Sequence, residues 1–350
     1  MRTIWGLSRA RLATPANRRG AGAHAVLDWS LLPPSFCRHN RFVENCPICR
    51  APDPPPAARR PSGSSPARTA RSAAPAARSS RGSGAVRVRR LTQAADDGYR
   101  NELVSGIRAT ADAERLAAEL AFATARLAEL AAEPPGLYAQ IGSDPDREEG
   151  LWLAFETAYL TPTDDEDPFA NIRAAHVPWA GGELPDLDVA LGMRTSHDPK
   201  AGTRTVLAYR AWATRSGGQQ AAFEGESSWT PERRFDRLFE RLAVGGFARP
   251  GRYDLLVTLG RLGVADVRAS SLQLSDDATT VAAKRVFGIG DKMLLERRAR
   301  ELADEAGLPI EALDLALFNW AAPQRPRTTM GSRAEVAPAR QAAIAAVLGV

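Results

Sequence analysis

Lysine is nearly missing from this chain: only Lys200, Lys284 and Lys292 occur in 350 residues, and every other basic residue is arginine. A lysine in a motif is therefore less easily put down to composition. Cysteine is equally scarce, and all three fall between Cys37 and Cys49, which confines thiol or thiolate-metal chemistry to one short segment. No stretch is long and apolar enough to cross a membrane. No Walker-type loop and no serine elbow is present, so phosphate-loop and Ser-His-Asp chemistries lack their motifs. The start, MRTIWGLSRARLATPANRR, is rich in Arg and poor in acid like an organelle transit peptide, yet it lacks the apolar core of a secretory signal. General Ala and Arg enrichment accounts for it equally, and the expectation is an intracellular, cytoplasmic protein that is nucleoid-associated if it binds DNA.

Acid is also missing where the base is. Residues 1 to 90 hold 17 Arg against 3 Asp or Glu, a net of +14, whereas the remaining 260 hold 29 Lys or Arg against 38 acids, a net of −9. The basic pI of about 9.4 thus describes the N-terminal arm and not the body. Any long-range pull on a polyanion comes from the arm, and any grip by the body must be local and geometric. Residues 51 to 95 alternate Pro, Ala, Ser, Gly and Arg with almost no large apolar side chain, so they cannot offset their ordering entropy and read as a disordered linker. A plain solvated linker and a DNA-binding arm are both consistent with that composition.

Within residues 36 to 50 the pattern is Cys37-x-His39, then Cys46-Pro-Ile-Cys49. Three thiolates and one imidazole supply the four ligands of a closed tetrahedral zinc site. Its neighbours are too few and too polar to fold alone, and a metal would supply the missing stability. The expected cofactor is structural zinc, with a redox Cys-x-x-Cys pair as the competing reading.

From Asp97 to Ala132 the sequence predicts a helix, with Leu116, Leu120, Ala123, Leu127 and Leu130 at four-three-four-three spacing. This is the seam of a short coiled coil or of a helix laid on the chain's own core. Pro134-Pro135-Gly136 ends it. From Leu137 onward amphipathic helices follow one another between Gly, Pro and Asp turns, and few stretches alternate with period two. The expected fold class is all-α, with domains at 1–35 (N-terminal extension), 36–50 (zinc knuckle), 51–95 (linker), 96–133 (amphipathic helix), 135–330 (main helical domain) and 331–350 (C-terminal helix). Thr163-Asp-Asp-Glu-Asp167 lacks the spacing of a calcium loop and reads as a solvated helix start. His176 and His197 read as lone loop histidines.

The densest signal is Val281 to Trp320: a helix, a Gly288-Ile289-Gly290 turn, a second helix opened by Asp291-Lys292, a Gly307-Leu308-Pro309 break, and an apolar helix carrying Asp314. The two glycines leave backbone N–H groups open at a helix start, a site that favours an anion such as a DNA phosphate. Lys284 and Arg285 before the turn, with Arg297 and Arg298 after it, form a basic patch beside it, although a solvated helix face accounts for them as well. An acid in an apolar helix can stabilise a developing cation or take a proton from an attacking amine or water. Asp314 can equally be a structural ion-pair partner, and Lys292 a nucleophile or a phosphate contact.

This arrangement resembles the helix-hairpin-helix superfamily of base-excision DNA glycosylases, whose signature is Gly-Val-Gly-x-Lys followed by Val-Asp at a helix start. The close match covers about 40 residues. It places Lys292 at the position of the attacking amine and Asp314 at the superfamily's carboxylate. Val286-Phe287 stands where Leu-Pro is usual, and the four cysteines of an iron–sulfur cluster are absent downstream. The wider layout, with Trp152 to Leu160, the Asp167-Pro168-Phe169 turn and Gly217-Gly218-Gln219, is similar to the α-glutamyl/putrescinyl thymine pyrophosphorylases, linked to thymine hypermodification. The resemblance implies a helix-hairpin-helix, glycosylase-like domain, DNA as partner, and a DNA base-modifying enzyme with Asp314 and Lys292 as catalytic residues. A glycosylase releasing a damaged or modified base and a non-catalytic DNA-binding protein are the alternatives.

Overall fold

Leu116, Leu120, Ala123, Leu127 and Leu130 are all buried, so the seam read from their spacing is a real face. Each leucine so placed contributes about 1.5–3 kcal/mol by leaving water. The computed structural model describes residues 94–350. In chain order its helices are α1 (Thr110–Ala132), α2 (Leu137–Ser143), α3 (Arg147–Leu160), α4 (Ala170–Ala175), α5 (Arg204–Arg215), α6 (Gln219–Glu224), α7 (Pro231–Arg241), α8 (Arg249–Arg261), α9 (Ala278–Phe287), α10 (Lys292–Glu305), α11 (Glu311–Trp320) and α12 (Pro338–Leu348). No strand occurs among the described residues, and the fold class is all-α. None of these helices is long and apolar enough to cross a membrane.

The helix expected over 97–132 begins only at Thr110. Asp96 and Asp97 turn their side chains onto the N–H groups of Gly98 and Tyr99, at 2.9 and 3.0 Å, and Asp97 also accepts from Thr110 N–H at 2.9 Å. These local bonds compete with helix formation and close a turn instead. The segment then packs on the α9 end: Gly106 N–H donates to Val286 O at 2.9 Å and the Ser105 hydroxyl to Phe287 O at 2.7 Å. Residues 1–93, which take in the whole basic arm, the zinc-ligand set Cys37, His39, Cys46 and Cys49 and all but the last two residues of the expected linker, lie outside the described residues.

Helix α1 packs on α11, α12 and α8, within the chain's own core. Helix α11 is apolar on nearly every side because α1 covers one face and α9 another; all its residues except Phe318 are buried. Trp320 locks its far end by donating Nε1–H to Asp112 O at 2.9 Å. Helix α3, which packs on α8, is buried from Gly150 to Leu160. Its Trp152, Phe155 and Tyr159 join Tyr209 in one aromatic cluster, with the Phe155 and Tyr209 rings stacked 3.7 Å apart. Helix starts follow their caps: Asp146, Thr230, Asp277 and Asp291 each accept a first-turn N–H.

Candidate functional site

Asp314 lies in the first turn of α11 and is 1 % exposed. A carboxylate there gains from the helix N-terminal field, but burial would be prohibitive without partners. Two arginines supply them. Arg194 donates through Nη2 to Asp314 Oδ2 at 2.5 Å, and Arg249 donates through Nη1 to Oδ1 at 2.7 Å, with a second, shorter bond from Nη2. Both guanidiniums are at most 1 % exposed. Arg194 also forms a two-point pair with Asp254, at 3.0 and 3.1 Å, and Arg249 Nε lies 3.1 Å from Asp277 Oδ2. The result is a buried chain, Asp254–Arg194–Asp314–Arg249–Asp277, of three carboxylates and two guanidiniums.

Each member is placed by its element. Arg249 opens α8, where a cation opposes the helix field, and Asp314 and Asp277 offset that cost. Asp277 is the N-cap of α9 and accepts from Thr280 N–H at 2.8 Å, so one guanidinium ties the cap of α9 to the first turn of α11. Arg194 projects from a loop pinned on the end of α3 by Gly192 N–H to Leu160 O and Ser196 N–H to Tyr159 O. Gly192 allows that close approach, since a Cβ there would stand 2.3 Å from Pro162 O. Burial alone would pull the Arg194 guanidinium down; the Asp254 and Asp314 carboxylates outweigh it and hold it above its ordinary value. Burial pushes the Asp254 carboxyl up, helped by the charge of Asp314 and opposed by Arg194.

The glycine turn stands at the other end of α9. Gly288 takes the left-handed conformation (φ 67°) and ends α9, its N–H bonded to Lys284 O at 3.0 Å. Asp291 caps α10 by accepting from Leu294 N–H at 2.9 Å. The N–H groups of Ile289, Gly290 and Asp291 have no acceptor among the described residues. Gly290 faces open space, whereas a Cβ at Gly106 behind the turn would lie 2.0 Å from Arg285 O and 2.6 Å from Gly288 N. The turn is thus open outward and braced from within.

Lys284 and Lys292 are exposed, and no carboxylate among the described residues pairs with either. Arg285 is half-buried with its guanidinium carbon 4.9 Å from the centre of the Trp320 ring. Arg297 and Arg298 share Glu301 at 3.3 and 2.9 Å. Among the described residues no hydrogen bond or ion pair joins Lys292 to Asp314, and Met293 beside the lysine is the most exposed large apolar side chain there, at 76 %. Sequence reasoning missed Arg194, Arg249, Asp254 and Asp277. The one available signal was an acid inside an apolar helix, which demands a buried cation without saying which.

The two histidines are not alone. His176 Nδ1 lies 2.6 Å from Glu156 Oε2 and its Nε2 3.2 Å from Glu149 Oε1, both on α3, while His197 Nδ1 meets the Tyr159 hydroxyl at 2.8 Å. The Glu156 hydrogen bond and the two carboxylate charges hold His176 above its ordinary value against its burial. Burial pushes Glu156 up and His197 down.

Residues 193–329 match the family model of alpha-glutamyl/putrescinyl thymine pyrophosphorylase clade 3. The matched stretch is less than half of the chain, yet it contains Arg194, Arg249, Asp254, Asp277, the glycine turn, Lys292 and Asp314. It leaves out α1 to α4 and the Glu149–His176–Glu156 cluster. The similarity is to a thymine-modifying family and supports that branch of the expectation. No curated relative and no solved structure matches the chain.

Proposed function

We propose that this chain is a DNA base-modifying enzyme of helix-hairpin-helix, glycosylase-like ancestry, acting on a hypermodified thymine with Asp314 as general base. The observation that carries the reading is that the family match contains both the open glycine turn and the buried carboxylate with its two arginines. In this reading the turn holds one backbone phosphate through its free N–H groups, with Lys284, Lys292 and the basic residues Arg285, Arg297 and Arg298 around it, and the target base is flipped out of the stack. Lys292, exposed and without a carboxylate partner among the described residues, serves as a phosphate contact.

A pyrophosphorylase-type step is a displacement. An amine nitrogen forms a bond to a carbon substituent of the thymine as the bond from that carbon to a diphosphate oxygen breaks. The amine proton passes to Asp314, and the diphosphate leaves with the electron pair. Arg194 and Arg249 fix the orientation of the carboxylate, so little is spent on arranging it during reaction. The test is incubation with DNA carrying a diphosphate-modified thymine and a panel of amines: a new base adduct and released pyrophosphate are expected. Abasic sites would instead identify a base-releasing glycosylase, with a borohydride-trapped adduct if Lys292 is its nucleophile. DNA binding with no product would identify a non-catalytic DNA-binding protein. We also propose one structural zinc at Cys37, His39, Cys46 and Cys49; elemental analysis should find one equivalent per chain, and less than about a tenth with free thiols would contradict it.

A further inference from the structure

Beyond Asp314 on the same face of α11, one helical turn on, stands Phe318. Two guanidiniums converge on its ring: the Arg194 carbon is 4.9 Å and the Arg325 carbon 4.4 Å from the ring centre. Both arginines carry unfilled donors. Arg194 uses Nε and Nη2 on Asp254 and Asp314, but its Nη1 is buried without an acceptor. Arg325 has its Nε buried and unpartnered, and its one side-chain hydrogen bond among the described residues is a long one from Nη2 to Phe318 O at 3.5 Å. No carboxylate among the described residues lies within ion-pair reach of Arg325. The acid that faces it, Asp164, has its Oδ1 taken by the N–H and hydroxyl of Thr329 at 2.9 and 3.2 Å. Burial pulls the Arg325 guanidinium down from its ordinary value, and the charge of Arg194 pushes the same way.

Buried charged donors without acceptors are costly, and the cost is recovered when an anion fills them. Planar guanidinium forks suit phosphoryl oxygens in particular. Phe318 and Arg325 are half-buried at the edge of the cluster, while the Arg194 side chain lies fully buried beneath them. We propose that Arg325 and Arg194, meeting over Phe318, form an oxyanion subsite beside Asp314 that takes a diphosphate group. Two guanidiniums with separate unfilled donors match two linked phosphoryl groups better than one. The subsite rests on the proposed function in that the diphosphate it holds is the leaving group of the displacement at Asp314.

The test is calorimetric titration of inorganic pyrophosphate into the full chain at fixed ionic strength, without DNA, for the parent, Arg325→Gln and Arg325→Lys. Saturable binding at one site per chain is expected, weakened at least tenfold in Arg325→Gln and partly restored in Arg325→Lys, with circular dichroism showing all three folded. The affinity for unmodified duplex DNA should be unchanged in Arg325→Gln. Absence of saturable binding in the parent, or equal affinity in Arg325→Gln, overturns the subsite. A loss of duplex affinity without a loss of pyrophosphate binding also overturns it, by assigning Arg325 to the DNA backbone. Because no turnover is read, failure here leaves base modification at Asp314 standing, and failure of that chemistry leaves the anion subsite standing.

Discussion

His176 shows what a single residue contributes through its partners. It is held above its ordinary value by the Glu156 bond and by the Glu149 and Glu156 charges, so the stability it contributes is fully present below its unfolded value of about 6.5 and is lost as pH rises through the raised folded value. Glu156, pushed up by burial, acts in the same direction. Denaturant melts of the parent and His176→Gln should therefore differ most near pH 6 and converge toward pH 8; a difference that grows with pH would contradict the assignment. Neither pairing was legible in the sequence. Glu149 and Glu156 sit on α3, and His176 reaches them only because α4 turns the chain back. Arg194 and Arg249 were hidden differently: in a chain so rich in arginine, a buried arginine carries no compositional mark. Asp314 was visible because an acid in an apolar helix is unusual.

At the scale of elements, local signals did most of the work. The Gly288-Ile289-Gly290 turn, the Asp291-Lys292 start and the Gly307-Leu308-Pro309 break placed α9, α10 and α11 in order along the chain. The exception is the stretch before α1, where Asp96 and Asp97 close a turn and Ser105 and Gly106 pack behind the glycine turn. That contact is long-range and left no trace in local periodicity. Two substitutions separate bracing from binding. Gly106→Ala drives a Cβ into Arg285 O and Gly288 N, so it should lower the melting temperature and weaken DNA binding together. Gly290→Ala meets no protein atom within 4 Å, so it should keep the melting temperature while weakening DNA binding several-fold, since its methyl occupies the approach to the free N–H groups. Unchanged DNA affinity in Gly290→Ala would show that the turn does not hold the backbone.

For the whole molecule, charge is divided along the chain: +14 in residues 1 to 90 and −9 in the rest. In the proposed reading a net-negative body approaches DNA only where its geometry is local and favourable, as at the open turn, and the salt-dependent attraction comes from the arm. Deleting residues 1 to 90 should weaken binding and flatten the slope of log affinity against log salt without changing which DNA is chosen. An unchanged slope would make the arm a bystander. The all-α architecture was readable from the sequence; the buried five-member charge chain joining α8, α9, α11 and the Arg194 loop was not, because it is a product of tertiary assembly.

In the proposed reading Asp314, fixed by Arg194 and Arg249, performs the chemistry on the base. The most direct test is the rate of adduct formation on diphosphate-modified thymine DNA by Asp314→Asn beside Asp277→Asn, at a temperature where both are folded. Each breaks the same buried chain, and loss of one member of such a pair costs about 3–5 kcal/mol. Asparagine at 277 keeps the cap of α9 and leaves the proton acceptor in place. A rate lowered about a hundredfold or more is expected in Asp314→Asn with DNA affinity nearly constant, and a rate within a few-fold of the parent in Asp277→Asn. Full activity in Asp314→Asn would contradict the reading.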